Sequence, residues 1–139
     1  MPADHLEEIA REAVDCGYHL HRELGPGLLE SAYELVLFRI LQERGMSVQR
    51  QVPISINYKS VVIDNAFKVD LLIEDKLLIE LKSTEKVAAV HAKQLLTYLR
   101  LMQLPLGFLM NFGQYTFKEG LRRVANGYYA PSRHLTGSS

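Results

Sequence analysis

The stretch Phe67-Lys68-Val69-Asp70-Leu71-Leu72-Ile73-Glu74-Asp75-Lys76-Leu77-Leu78-Ile79-Glu80-Leu81-Lys82-Ser83 decides how this chain is read. Two apolar runs, Val69 to Ile73 and Leu77 to Leu81, flank the polar break Glu74-Asp75-Lys76, which is the pattern of an antiparallel hairpin. With pairing symmetric about Asp75, residues whose numbers sum to 150 face one another, and Asp70 lies opposite Glu80. Alternation with period two puts Val69/Leu81, Leu71/Ile79 and Ile73/Leu77 on one wholly apolar face. Lys68/Lys82, Asp70/Glu80 and Leu72/Leu78 share the other.

Like charges directly opposite on neighbouring strands repel, and two carboxylates in a partly dry place cannot both stay ionised cheaply without a cation. A hard divalent metal resolves the conflict. Mg²⁺ takes oxygen ligands, usually one or two carboxylates from the protein, and leaves the rest of its octahedron to water and substrate phosphate. Lys82 is two residues from Glu80 and therefore on the same face, where it can orient or activate an attacking water or hold a phosphate. A lone Glu-x-Lys is a weak signal, because the solvated face of any hairpin carries such residues. The rest of the chain gives it weight.

The 139 residues and 47% hydrophobic content fit one folded domain, expected over 1–129, with 130–139 as a flexible C-terminal tail. Sixteen basic residues balance sixteen acidic ones, so there is no global footprint of a nucleic-acid-coating protein, and any such binding is local. Cys16 is the single cysteine, which excludes an internal disulfide and a thiolate metal cluster and fits a reducing compartment. No run approaches the roughly 18–20 apolar residues needed to span a bilayer, and the acidic start is unlike a signal peptide. The expectation is a cytoplasmic protein with no membrane partner.

Leu6, Ile9, Ala13, Cys16 and Leu20 recur at helical spacing behind Asp4 as a cap, until Gly25-Pro26-Gly27 breaks the helix. A second helix carries Leu29, Tyr33, Val36, Leu37, Ile40 and Leu41 and stops at Gly45. Val52, Ile54, Ile56 and Tyr58 alternate as a strand, Lys59-Ser60 turns the chain, and the return strand bends at Asp64-Asn65 on its way to Asp70. A third helix is expected from about Glu85 to Met102, with Val87, Val90, His91, Gln94, Leu95, Tyr98, Leu99 and Met102 along one side. Leu106 to Phe112 reads as a strand buried on both faces, made parallel to the Glu80 strand by the helical crossover. The order is α-α-β-β-β-α-β, with an unassigned amphipathic piece around Tyr115 to Val124.

Gly27-Leu28-Leu29-Glu30-Ser31-Ala32-Tyr33 has the form Gly-x-x-Glu-x-x-Tyr. Together with Asp70, Glu80-Leu81-Lys82 and Asn111-Phe112-Gly113, it closely resembles the GxxExxY protein family, which is placed within the PD-(D/E)XK nuclease superfamily. The similarity runs from about Ala10 to Gly127. The resemblance implies an α/β, restriction-endonuclease-like core: a mixed β-sheet flanked by α-helices. It implies Asp70 and Glu80 as metal carboxylates for Mg²⁺ or Mn²⁺, with the main-chain carbonyl of Leu81 as a further ligand and Lys82 as the catalytic lysine. Glu30 matches the helix acid that often completes the metal site. Gln94 and Tyr98 match the Gln-x-x-x-Tyr helix of RecB-like members, whose side chains face the active site.

The residues themselves leave alternatives beside these roles. Glu30 and Tyr33, three apart, share a helix face, yet a Glu in a first turn also simply complements the helix dipole. His91, Gln94 and Tyr98 interrupt an apolar stripe. Gln94 and Tyr98 either serve a site or form a buried hydrogen-bond pair, and His91 either supports the substrate or packs half-exposed. The expected function is metal-dependent hydrolysis of phosphodiester bonds in nucleic acid, DNA foremost. The competing reading is a catalytically idle or weakly active binding or assembly module, a homodimer, in a nucleic-acid-processing or defence system. Hydrolysis of a small phosphate ester is the third.

Overall fold

A computed structural model of the chain describes residues 3–128. The elements are α1 (Ala3–Leu24), α2 (Glu30–Glu43), β1 (Val48–Tyr58), β2 (Val61–Ile73), β3 (Leu77–Lys82), α3 (Ala89–Met102), β4 (Leu106–Asn111), α4 (Phe117–Gly120) and β5 (Leu121–Ala125). The five strands form one mixed sheet in the order β1-β2-β3-β4-β5. Every pairing is antiparallel except β3 with β4, which run parallel, as the α3 crossover requires. The expected mixed sheet flanked by helices is the fold found. The piece left unassigned around Tyr115 to Val124 is the one-turn α4 followed by the edge strand β5.

Both faces of the sheet are covered. The larger core packs Leu6, Ile9, Ala13, Cys16 and Leu20 of α1 and Tyr33, Leu37 and Leu41 of α2 against Leu71, Ile73, Leu77, Ile79, Leu81, Leu106, Phe108 and Met110. On the other face Leu95 and Leu99 of α3 pack on Val69, Leu78 and Leu109. All six residues of β4 are buried, which accounts for its apolar run from Leu106 to Met110. Gly45, at φ +88°, follows the last turn of α2 in the left-handed conformation that lets the chain leave the helix at little steric cost. No helix among the described residues is long and apolar enough to cross a membrane.

The structure corrects several expectations. α3 begins at Ala89, because Ser83 to Ala88 is a non-helical loop. In α2 the inward face is Tyr33, Glu34, Leu37 and Leu41, while Leu29 and Val36 are exposed. Val69 does not share a face with Leu71: Val69 joins the α3 core and Leu71 the α1/α2 core. Strict alternation therefore fails at Asp70. The proposed tail, 130–139, lies outside the described residues, as does the domain boundary at 129.

Candidate metal and active site

The hairpin register is Leu71↔Ile79, Leu72↔Leu78 and Ile73↔Leu77, so facing numbers sum to 150. The backbone ladder ends there. Beyond it the two strands are joined through side chains: Glu80 Oε1 accepts the Asp70 N–H at 2.9 Å, and Asp70 Oδ2 accepts the Leu81 N–H at 2.8 Å. Asp70 and Glu80 thus face each other half-buried, each anchored on the other strand's backbone.

Their proximity is electrostatically costly. Burial raises the Glu80 carboxyl to about 8, with the Asp70 charge adding to the effect and its hydrogen bond to the Asp70 backbone and Lys82 opposing it. Asp70 is raised to about 6, again chiefly by burial, with Glu34 and Glu30 adding and the Leu81 N–H and Gln51 amide opposing. The site has more negative charge than its surroundings neutralise.

The side-chain geometry around Asp70 follows from a rotation of the β1/β2 pair. Arg50 lies opposite Leu71 and Val52 opposite Val69, yet Arg50 reaches α2 while Val52 packs on the α3 core. The pair Gln51/Asp70 sits at the turnover, and Gln51 holds φ +54° in the middle of a strand. The Gln51 amide nitrogen donates to Glu34 Oε1 at 2.6 Å and to Asp70 Oδ1 at 3.2 Å. Glu34 is 6% exposed and its other oxygen is bound by Arg50 at 3.0 Å, whose guanidinium lies over the Phe38 ring. Sequence reading missed both Gln51 and Glu34. Glu34, four residues after Glu30 on α2, carried a helical-spacing signal; Gln51 carried none beyond polarity in a strand.

Lys82 is half-buried on the same face of β3 as Glu80. Glu30, the first residue of α2, is exposed and adds negative potential to both Asp70 and Glu80. Tyr33 is fully buried, as its place in the apolar stripe of α2 predicts. Its hydroxyl donates to the Gly25 carbonyl and accepts the Leu28 N–H at 3.2 Å, and its ring stacks on Phe112 at 4.5 Å. Tyr33 holds the Gly25-Pro26-Gly27 loop that delivers Glu30 to its place.

Tyr98 stacks on Phe67 at 4.1 Å, and burial together with the nearby Glu80 and Asp70 charges raises its phenol. Gln94 is exposed, makes no hydrogen bond among the described residues and is not paired with Tyr98, so the alternative of a buried Gln94–Tyr98 pair does not hold. The buried positions of α3 are Leu95 and Leu99, and Gln94, one turn before Tyr98, lies on the Tyr98 side of the helix. His91 accepts the Ala88 N–H through Nδ1 at 3.3 Å, a local cap for the start of α3.

The Asn111-Phe112-Gly113 segment secures the strand that carries Glu80 and Lys82. The fully buried Asn111 amide accepts the Thr84 N–H at 2.9 Å and donates to the Thr84 carbonyl at 3.0 Å, and its Oδ1 also accepts the Gly113 N–H. The Phe112 N–H bonds the Lys82 carbonyl at 2.8 Å. A Cβ on Gly113 would overlap the Thr84 backbone, so only glycine permits this closure.

The donor set suits a hard divalent cation. Asp70 and Glu80 are oxygen donors whose crowding a cation would relieve, and a carboxylate oxygen that accepts one hydrogen bond retains a second lone pair. Among the described residues no group of three or more acidic, histidine or cysteine side chains forms a ready cage. A separate groove of about 810 Å³, lined by residues including Glu7, Arg11, Tyr18, Phe108 and Arg123, lies against α1 and shares none of the site residues. The chain matches no curated protein sequence. A family model described as the PD-(D/E)XK nuclease superfamily matches residues 7–124, most of the chain and the whole of the carboxylate hairpin. With its mixed sheet, flanking helices and facing Asp70 and Glu80, the chain belongs to the PD-(D/E)XK nuclease superfamily.

Proposed function

We propose that the protein is a metal-dependent nuclease that hydrolyses phosphodiester bonds, with DNA as the preferred substrate, and that it is a cytoplasmic member of the GxxExxY group. The observation that carries the reading is the pair Asp70 and Glu80, cross-anchored on opposite strands, both raised in pKa chiefly by burial with neighbouring carboxylates adding, and with Lys82 two residues on. A fold maintains such a pair at a cost, and metal binding gives the cost a purpose.

Asp70, Glu80 and the Leu81 carbonyl would hold Mg²⁺ or Mn²⁺, with Glu30 contributing directly or through water. The bound cation supplies Lewis-acid polarisation of the phosphoryl group and lowers the pKa of water. The Lys82 ammonium steers the attacking water or holds a phosphate oxygen. Tyr98, fixed by Phe67, walls the site on the α3 side. The exposed Gln94 is available to substrate rather than to the core, and His91 supports the start of the helix that presents both. With no net charge on the chain, Lys82, Lys86 and Lys93 supply the phosphate contacts.

The test is a cleavage assay over single- and double-stranded DNA and RNA with and without Mg²⁺ or Mn²⁺, run beside Asp70→Asn. Metal-dependent cleavage lost in the variant supports the reading; cleavage that survives Asp70→Asn refutes it. One observation favours a second reading, an assembly module acting as a homodimer. Tyr58, Val61, Val62 and Ile63 are exposed where the β1/β2 hairpin extends beyond its pairing with β3. A dimer in solution with no metal-dependent cleavage would favour that module.

A further inference from the structure

We infer that Gln51 is the positioning residue of the site: it fixes the direction of the Asp70 carboxylate by bridging it to the buried Glu34 on α2. The inference rests on the metal-site reading of Asp70 and Glu80 and adds the device that holds them in place.

Two independent features single out Gln51. The first is its backbone. Gln51 holds φ +54° inside β1, a conformation that residues with a Cβ adopt at a cost and that glycine adopts freely. At this residue the β1/β2 pair rotates, so that Arg50 and Leu71 turn to the α2 side while Val52 and Val69 turn to the α3 side. The strain is therefore located at the step that brings Asp70 between the two faces.

The second feature is its side chain. One amide nitrogen reaches two carboxylates, Glu34 Oε1 at 2.6 Å and Asp70 Oδ1 at 3.2 Å. Asp70 Oδ2 is already taken by the Leu81 N–H at 2.8 Å, so with Gln51 the carboxylate is gripped at both oxygens and its plane is set. Glu34 cannot swing away, because its second oxygen is bound by Arg50. The chain Arg50, Glu34, Gln51, Asp70 thus ties the metal carboxylate to α2, the helix whose first residue is Glu30. A glutamine is suited to this link: its amide donates to two anions without adding a third charge, as glutamate would, or neutralising the site, as lysine would. If a strand rotation alone were required, glycine would serve better.

Hydrogen-bonding partners of metal ligands typically influence metal affinity by about 10–100-fold. The experiment compares wild type, Gln51→Gly and Gln51→Asn for Mn²⁺ affinity by calorimetry, kcat and KM for DNA cleavage, and the urea midpoint without metal. Gln51→Gly keeps the positive φ and deletes the amide. Gln51→Asn also tolerates positive φ, but its arm is one carbon too short to bridge both carboxylates. Both variants are expected to bind Mn²⁺ at least about 10-fold more weakly and to lose kcat with little change in KM, while the urea midpoint reports separately the cost of the lost hydrogen bond to the buried Glu34. A role confined to folding would lower the midpoint and leave the affinity of the folded protein unchanged, which would overturn the inference. So would variants that bind Mn²⁺ and cleave as wild type does. Wild type that neither binds Mn²⁺ nor cleaves would instead remove the metal-site reading, and this inference with it.

Discussion

Glu80→Gln in the metal-free protein is expected to stabilise the fold, in a manner set by pH. In the unfolded chain the carboxyl ionises at about its ordinary value of 4.5, whereas in the folded protein it ionises at about 8. The folded state therefore holds the proton more tightly, and stability falls as pH rises from 4.5 to 8. At pH 7 the folded form must take up a proton that the unfolded chain has released, across a gap of about 2.5 pH units, which costs about 3 kcal/mol at 1.36 kcal/mol per unit. Glutamine has the shape of the protonated acid, and its oxygen can still accept the Asp70 N–H that Glu80 Oε1 binds at 2.9 Å. Glu80 is only half-buried, and solvent screening reduces the cost, so the expected gain at pH 7 is about 1–3 kcal/mol, shrinking below about 1 kcal/mol at pH 5. Urea denaturation with a chelator present at the two pH values measures this directly. A gain that is absent, or that is the same at both pH values, would refute the claim that Glu80 is a destabilised acid. With Mg²⁺ or Mn²⁺ added, the ranking should reverse, because only wild type offers the cation both carboxylates.

Mg²⁺ or Mn²⁺ should raise the thermal midpoint of wild type, corresponding to about 2.7 kcal/mol at 100 times the dissociation constant, and Asp70→Asn should abolish the rise in a calorimetric scan. Lys82→Ala should retain metal binding and fold while losing about 10²–10⁴ in cleavage rate, since the ammonium acts on water or phosphate and does not hold the cation; cleavage at the wild-type rate would make Lys82 a bystander. Gly113→Ala should cost about 1–3 kcal/mol in urea midpoint, because the new methyl meets backbone at Thr84 that has no rotamer to move into. Leu99→Ala, which empties a fully buried position under α3, should cost about 2–5 kcal/mol.

The sequence by itself determined the elements that rest on local chemistry. The hairpin around Asp75 was legible because Glu74-Asp75-Lys76 is polar between apolar runs; Glu74 and Asp75 adopt the positive φ of a tight turn, and the register follows as expected. The parallel pairing of β3 with β4 was legible because a helix separates them and β4 is apolar from Leu106 to Met110. Asp70 opposite Glu80, with Lys82 beside Glu80, followed from the same counting.

Tertiary structure alone decided what depends on two strands rotating together and on a helix settling against them. Period-two counting put Val69 with Leu71 and said nothing of Gln51, since the rotation at Gln51/Asp70 arises from a backbone conformation that composition does not announce. Glu34 reads as one more charge on a helix until the fold buries it against Arg50 and Gln51. Tyr33 was legible as part of the apolar stripe of α2, but the Gly25 carbonyl its hydroxyl binds and the Phe112 ring it stacks on are contacts that exist only in the fold. The stripe on α3 left open a buried Gln94–Tyr98 pair, and only the packing of Leu95 and Leu99 on the sheet shows that Gln94 stays exposed. Local propensity fixes where strands and helices form; which side chains converge on Asp70 depends on contacts between residues far apart in the chain, and those exist only once the sheet has twisted and both faces are packed.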